Sequence, residues 1–267
     1  MAKGRWILRW AGPSYLLLFF LICAGSAIGG ISPAQGQSVS KFGLPCGMSI
    51  TATAMPGAIV ALDIMDPCRP LAALDIMHAG LSFGARSDAM GLLTLDFPAF
   101  ETPAFFTVRG PDGTEAMAMA GLSDFRDFAR VAIAWEGNLG MALHALEGGA
   151  GFGAPGHIWQ TAPGDSADMA KGDGGALSVL GDPKLTPSWQ AQIYTTSRER
   201  LNDIRFEVDI PITADTCARA VRATAIHLTP DGAMVSQPIL VTMPPCDGIG
   251  DFLVLQNPFD TTTVASD

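Results

Sequence analysis

The sequence predicts an all-β protein, two tandem β-sandwiches after an N-terminal export signal. Three features point there. Apolar and polar residues alternate along short runs, 30 Gly and 19 Pro punctuate those runs, and paired cysteines follow a basic-then-apolar leader.

Residues 1–37 carry Lys3, Arg5 and Arg9 and no acid. An apolar run from Tyr15 to Gly25 follows, then small residues at Gly25-Ser26-Ala27 and Ala34-Gln35-Gly36, either of which suits a cleavage site. The run is short for a membrane span, so a cleaved signal peptide is the first reading. Counting from Trp10 to Ile31 lengthens it enough for an uncleaved single-pass anchor as the alternative. Both place the body outside the cytoplasm: in the periplasm or secreted, or anchored to the inner membrane with membrane contact only through this segment. Beyond the leader stand Cys46, Cys68, Cys217 and Cys246. Three pairings are open to four thiols, and the spacing favours Cys46 with Cys68 and Cys217 with Cys246. Disulfides over such loops contribute about 3 kcal/mol each and need an oxidising compartment. A four-cysteine zinc site is the competing reading, but neither half has close Cys-x-x-Cys spacing.

Alternation and turn formers predict strands at 48–53, 58–64, 73–78, 81–86, 92–97, 105–109, 115–120, 130–136 and 139–146. Val131, Ile133 and Trp135 fall on one face. Ser123–Ala129 is the one helical candidate, at most two turns. The glycine-rich stretch 148–174 reads as a linker or long surface loop. Strands resume at 176–180, 190–195, 204–210, 220–228, 235–242 and 252–256. The predicted organisation is a first sandwich over 40–147, the linker 148–174, a second sandwich over 175–260, and a tail over 261–267. A single larger sandwich is the alternative.

The stretch from Arg86 to Pro98, with Ser87-Asp88-Ala89-Met90-Gly91 leading into Leu92-Leu93-Thr94-Leu95-Asp96-Phe97-Pro98, resembles a segment recurring in transthyretin-like and carboxypeptidase-regulatory-like sandwiches. There a Thr-Asp-x-x-Gly turn precedes a strand ending near a Pro; Ser87 stands here for the commoner Thr. Asp88 is placed to close the turn and Gly91 to take a positive φ. The whole chain also resembles uncharacterised exported proteins of alphaproteobacteria, sometimes labelled translocase, a label no residue here supports. What the resemblance implies is a fold, with no catalytic residue to carry over.

Charge excludes one class of partner. With 16 Lys+Arg against 26 Asp+Glu the formal charge is −10, and removing the basic leader makes the body more acidic still, so nucleic-acid phosphate is repelled. Gly80-Leu81-Ser82-Phe83-Gly84 matches the nucleophile-elbow pattern of serine hydrolases, but strand and turn residues follow where a helix is required. The Gly151–Gly156 glycine pattern of dinucleotide sites lacks its βαβ unit. Asp63 and Asp66 sit at a strand end, and Asp247-Gly248-Ile249-Gly250-Asp251 lacks the ligand series of a calcium loop. Thioether and imidazole ligands select Cu(I), so Met117 and Met119, on one strand face, with His78 and His144, are the metal candidates. The resulting expectation is a non-catalytic exported binding or scaffolding protein of the cell envelope, using no cofactor and meeting another envelope protein by strand addition at an exposed edge. The alternatives are a periplasmic copper-handling protein and, further off, a serine hydrolase acting through Ser82.

Overall fold

The alternating segments form strands in the computed structural model, which describes residues 38–229 and 231–259; the leader and the tail 261–267 lie outside the described residues. The first seven strands are β1 (Ser49–Met55), β2 (Ile59–Met65), β3 (Ala73–His78), β4 (Leu81–Arg86), β5 (Leu92–Pro98), β6 (Ala104–Arg109) and β7 (Glu115–Ala120). They make one sandwich, with sheet orders β1-β2-β5 and β4-β3-β6-β7. The other strands are β8 (Phe128–Glu136), β9 (Ala142–Glu147), β10 (His157–Ile158), β11 (Gly175–Leu180), β12 (Trp189–Ser197), β13 (Ile204–Pro211), β14 (Ala220–Leu228), β15 (Met234–Thr242) and β16 (Phe252–Gln256). They make a second sandwich, with sheet orders β10-β9-β13-β16 and β11-β12-β8-β14-β15. The pairings between the named strands are antiparallel, and the fold is all-β.

The division between the sandwiches falls earlier than the sequence suggests. β8 and β9, expected in the first sandwich, hydrogen-bond to β12, β14 and β13 of the second. The stretch 148–174 is no linker: it lies within the second sandwich and holds β10 and a short helix, α1 (Ser166–Lys171). Asp165 caps α1 by accepting from the Ala167 and Asp168 amides, and Gly172 ends it in the left-handed conformation. The Ser123–Ala129 helix is reduced to one 3-10 turn at Phe125–Asp127, because Phe128 and the residues after it are recruited into β8.

Parity along β8 explains how the sandwiches join. Val131, Ile133 and Trp135 enter the second sandwich's core with Leu143, Tyr194 and Val208. Phe128 and Ala132, on the opposite parity, join the first sandwich's core with Leu62, Phe83 and Phe97, and Ala134 packs against it. Ala191 and Ile193 of β12 and Ile226 and Leu228 of β14 face the same way. The five-stranded sheet therefore buries both faces along its inner strands β8 and β12, each fully buried Val, Ile or Phe contributing about 1.5–3 kcal/mol.

Arg130, fully buried, lies at the junction. Its Nη2 donates to the carbonyls of Gly57 (3.0 Å) and Ala58 (3.1 Å), while Asp124 accepts from the amides of the same two residues at 2.9 and 3.1 Å. Burial pulls the Arg130 guanidinium down to about 9, so it is still a cation at neutral pH.

Cys46 pairs with Cys68, and Cys217 with Cys246, one disulfide in each sandwich. The Asp88 turn forms as its chemistry requires: Oδ1 accepts from the Met90 amide (2.8 Å) and the Leu92 amide (2.9 Å), and Gly91 has φ +79°. A Cβ on Gly91 would collide with the backbone carbonyl of Asp66. Gly91→Ala is therefore expected to destabilise the oxidised protein by at least about 2 kcal/mol, read as a lower urea midpoint with an unchanged slope.

Candidate functional site

The four metal candidates do not converge. Met117 and Met119 are exposed, at 76% and 62%, on the outer face of β7. His78 points the other way, into the first core: its Nδ1 donates to the Phe105 carbonyl (2.8 Å), its Nε2 accepts from the Phe100 amide (2.9 Å), and its ring stacks on Phe106. Both nitrogens are committed to the backbone. His144 lies on β9 in the other sandwich, which parts it from His78. Among the described residues no group of three His, Cys, Asp or Glu side chains is placed to hold a metal.

The remaining motifs resolve into structure. Ser82 follows a tight hairpin turn, Ala79-Gly80, and lies within β4, with no helix after it. Asp63 accepts from the Thr94 hydroxyl at 2.8 Å, and buried Asp66 pairs with Arg69 at 2.7 Å. The turn after Cys246 is a 3-10 turn, Cys246–Gly248.

A cluster that sequence spacing does not reveal forms around His144. On β9, Leu143 and Ala145 face the core, so His144 faces outward. The glycine-rich segment after β9 folds back over that outer face and returns as β10, His157 opposite Leu146. Phe152 and Trp159 come with it. The ring centroids of Trp159 lie 5.2 Å from His144 and 5.5 Å from His157, and Phe152 lies 5.2 and 5.0 Å from the same rings. Both histidines are buried, at 3% and 6% exposure.

Hydrogen bonding assigns their tautomers. The Gly153 amide donates to His157 Nδ1 at 2.9 Å, so the His157 proton is on Nε2. That Nε2–H donates to His144 Nδ1 at 2.8 Å, which leaves the His144 proton on Nε2, 3.3 Å from Asp209 Oδ2 on β13. Burial lowers both histidines from their ordinary value; for His144, Asp209 opposes the shift and His157 adds to it. Both rings are thus neutral near pH 7, with their lone pairs already accepting hydrogen bonds, an arrangement unsuited to metal ligation. Two of the three glycines of the dinucleotide-like pattern have a different use: Gly153 supplies the amide, and Gly156, at φ +91°, turns the chain into β10.

A second surface feature is the edge strand β16. Leu253 and Leu255 pack inward, while Phe252 is 59% and Val254 42% exposed. The Asn257 amide donates to Phe206 and the Ile212 amide to Asp251, in the β13–β16 register. By the period of two, the polar backbone groups of residues 253 and 255 face β13, and those of Phe252, Val254 and Gln256 face outward.

His78, buried as a neutral ring in the first core, gives stability a definite pH dependence. Its folded pKa is lowered by burial, so the unfolded chain binds the extra proton; stability is complete above about pH 6.5 and falls as the pH drops below it. His78→Leu should remove this contribution and cost roughly 2–4 kcal/mol at neutral pH by orphaning the Phe100 amide and the Phe105 carbonyl. Urea denaturation of both proteins across pH 5–8 checks the sign.

No family model matches the sequence, and no curated protein matches it. Among solved structures, a Ca2+-stabilised adhesin that helps an Antarctic bacterium reach out and bind ice is similar at 12% identity over 75% of this chain and 74% of that one, with a TM-score of 0.23. A likeness at that score carries no argument about fold or function.

Proposed function

We propose that the chain is a non-catalytic, exported binding protein of the cell envelope that takes up a strand of a partner protein along β16. The observation that carries this reading is the state of that edge. Edge strands are ordinarily blunted by charge, Pro, a bulge or a covering loop. β16 reads Phe-Leu-Val-Leu-Gln, without charge or Pro, and is paired on one side only among the described residues. Its outward amides and carbonyls suit main-chain pairing, and Phe252 and Val254 suit alternate apolar side chains of an incoming strand. Two disulfides fit an oxidising compartment, where another envelope protein is the available partner. The leader, with its basic start and apolar run, supports export to the periplasm or beyond. The commitment of His78 and His144 to fixed hydrogen bonds supports a binding role over copper handling or hydrolysis.

A photo-crosslinking amino acid placed at Phe252 of the exported full chain should give a discrete adduct with another envelope protein. Val254→Pro removes an outward N–H and no ladder bond to β13, so the adduct should fall about tenfold while the circular dichroism stays unchanged. No adduct at Phe252, or an adduct undiminished by the proline, would overturn the reading.

A further inference from the structure

The chain from Gly153 through His157 and His144 to Asp209 has a direction, and that direction determines what a proton does to it. Each ring has one lone pair, and each lone pair already accepts a hydrogen bond. A proton at His144 Nδ1 turns an acceptor into a donor aimed at the donor of His157. A proton at His157 Nδ1 sets two donors, its own and the Gly153 amide, against each other. The first event removes the side-chain bond that ties the segment 148–163 to β9, and the second removes a bond within the segment that folds Gly153 onto His157.

The surroundings choose His144 as the favoured seat of the cation. Asp209 of β13 stands 3.3 Å from its Nε2, with its other oxygen, Oδ1, buried and making no hydrogen bond. Glu207, opposite His144 in the β9–β13 register, is held by Arg205 at 3.2 Å. From β10 the facing titratable group is His157 itself. The covering segment adds Phe152 and Trp159, which do not titrate in this range. A protonated His144 keeps and strengthens its partner on β13 while losing its bond to the segment.

We propose that the His157–His144–Asp209 chain is an acid-released latch, closed at neutral pH, that holds the Phe152–Trp159 segment over the outer face of the β9–β13 sheet and lets it go when His144 takes up a proton. Both histidines are lowered in the closed form, so the released form binds the proton more readily. The closed segment is thus fully favoured above about pH 6.5 and weakens below it. At about pH 5, one proton bound only by the released form shifts the balance up to roughly 30-fold. The latch is independent of strand addition at β16.

Hydrogen exchange of the oxidised full chain at about pH 7.5 and about pH 5, corrected for intrinsic rates, tests the latch. Protection in the peptide spanning Phe152 to Trp159 should fall by about tenfold or more at the lower pH, while peptides of β2, β8 and β12 stay protected. Nitrogen-15 shifts should report Nε2–H tautomers for both rings at neutral pH. In the His144→Gln/His157→Gln double variant, the segment's protection should no longer depend on pH. The proposal is overturned if protection of the segment is the same at both pH values. It is overturned equally if the double variant keeps the wild-type pH response, or if the core strands lose protection together with the segment, since His78 then governs a global transition.

Discussion

The burial of both faces along β8 and β12, inner strands of one five-stranded sheet, is the constraint on which the rest of the molecule rests. An antiparallel sheet commonly keeps one face wet, and its strands then alternate apolar with polar. β8 and β12 of the sheet β11-β12-β8-β14-β15 cannot do this, because the first sandwich covers one face and the β10-β9-β13-β16 sheet covers the other. β8 meets the demand with large residues on the second-core side and with Phe128, Ala132 and Ala134 on the other. Small side chains there let the first sandwich approach closely. On the same strand face, Arg130 binds two carbonyls of the β1–β2 turn, so a buried long polar side chain is spent on the joint. Gly84 of β4 shows the same closeness: a Cβ there would sit 3.0 Å from Leu185.

That joint leaves the outer face of the β10-β9-β13-β16 sheet and the edge strand β16 as surfaces the core does not use. The outer face is largely covered by the chain itself. A segment rich in glycine crosses it at low steric cost, and its two aromatic rings bury His144 and His157 without a second sheet being needed. Burial without charge is possible because each imidazole is both donor and acceptor, so His157 accepts from the Gly153 amide and donates to His144. The edge is treated differently. Leu253 and Leu255 anchor β16 on the core, and the opposite parity is left apolar and exposed. One sheet thus has a face closed by its own chain and, among the described residues, an edge left open.

Much of the architecture was legible in the chain. Every predicted strand segment is found as a strand within a few residues, because period-two alternation with Gly, Pro and Asp turns is a local property. Both disulfides follow the spacing, since each pair closes a short loop within one sandwich. The Asp88–Gly91 turn is likewise local, decided by a side-chain carboxylate two and four residues from the amides it accepts. The domain division was not legible. β8 reads as half-polar because alanine and arginine occupy one parity, and only the packing of the first sandwich turns that face into interior. The glycine-rich stretch after β9 reads as a linker for a similar reason: its order comes from a distant sheet face, not from its own propensities.

Sequence alone determined the strand content and the acidic charge and favoured the observed disulfide partners, all properties written within short windows or in composition. Tertiary structure decided which strands share a sheet, which histidines meet and which edge stays open. His144 and His157 are thirteen residues apart and Asp209 lies far beyond both, on a different strand. No spacing rule joins them, because the contact exists only once β9 pairs with β10 on one side and β13 on the other. Met117 and Met119 stand exposed on β7 for the converse reason: alternation puts two thioethers on one face, and that no described residue forms a covering layer, which no local pattern encodes, makes that face a surface.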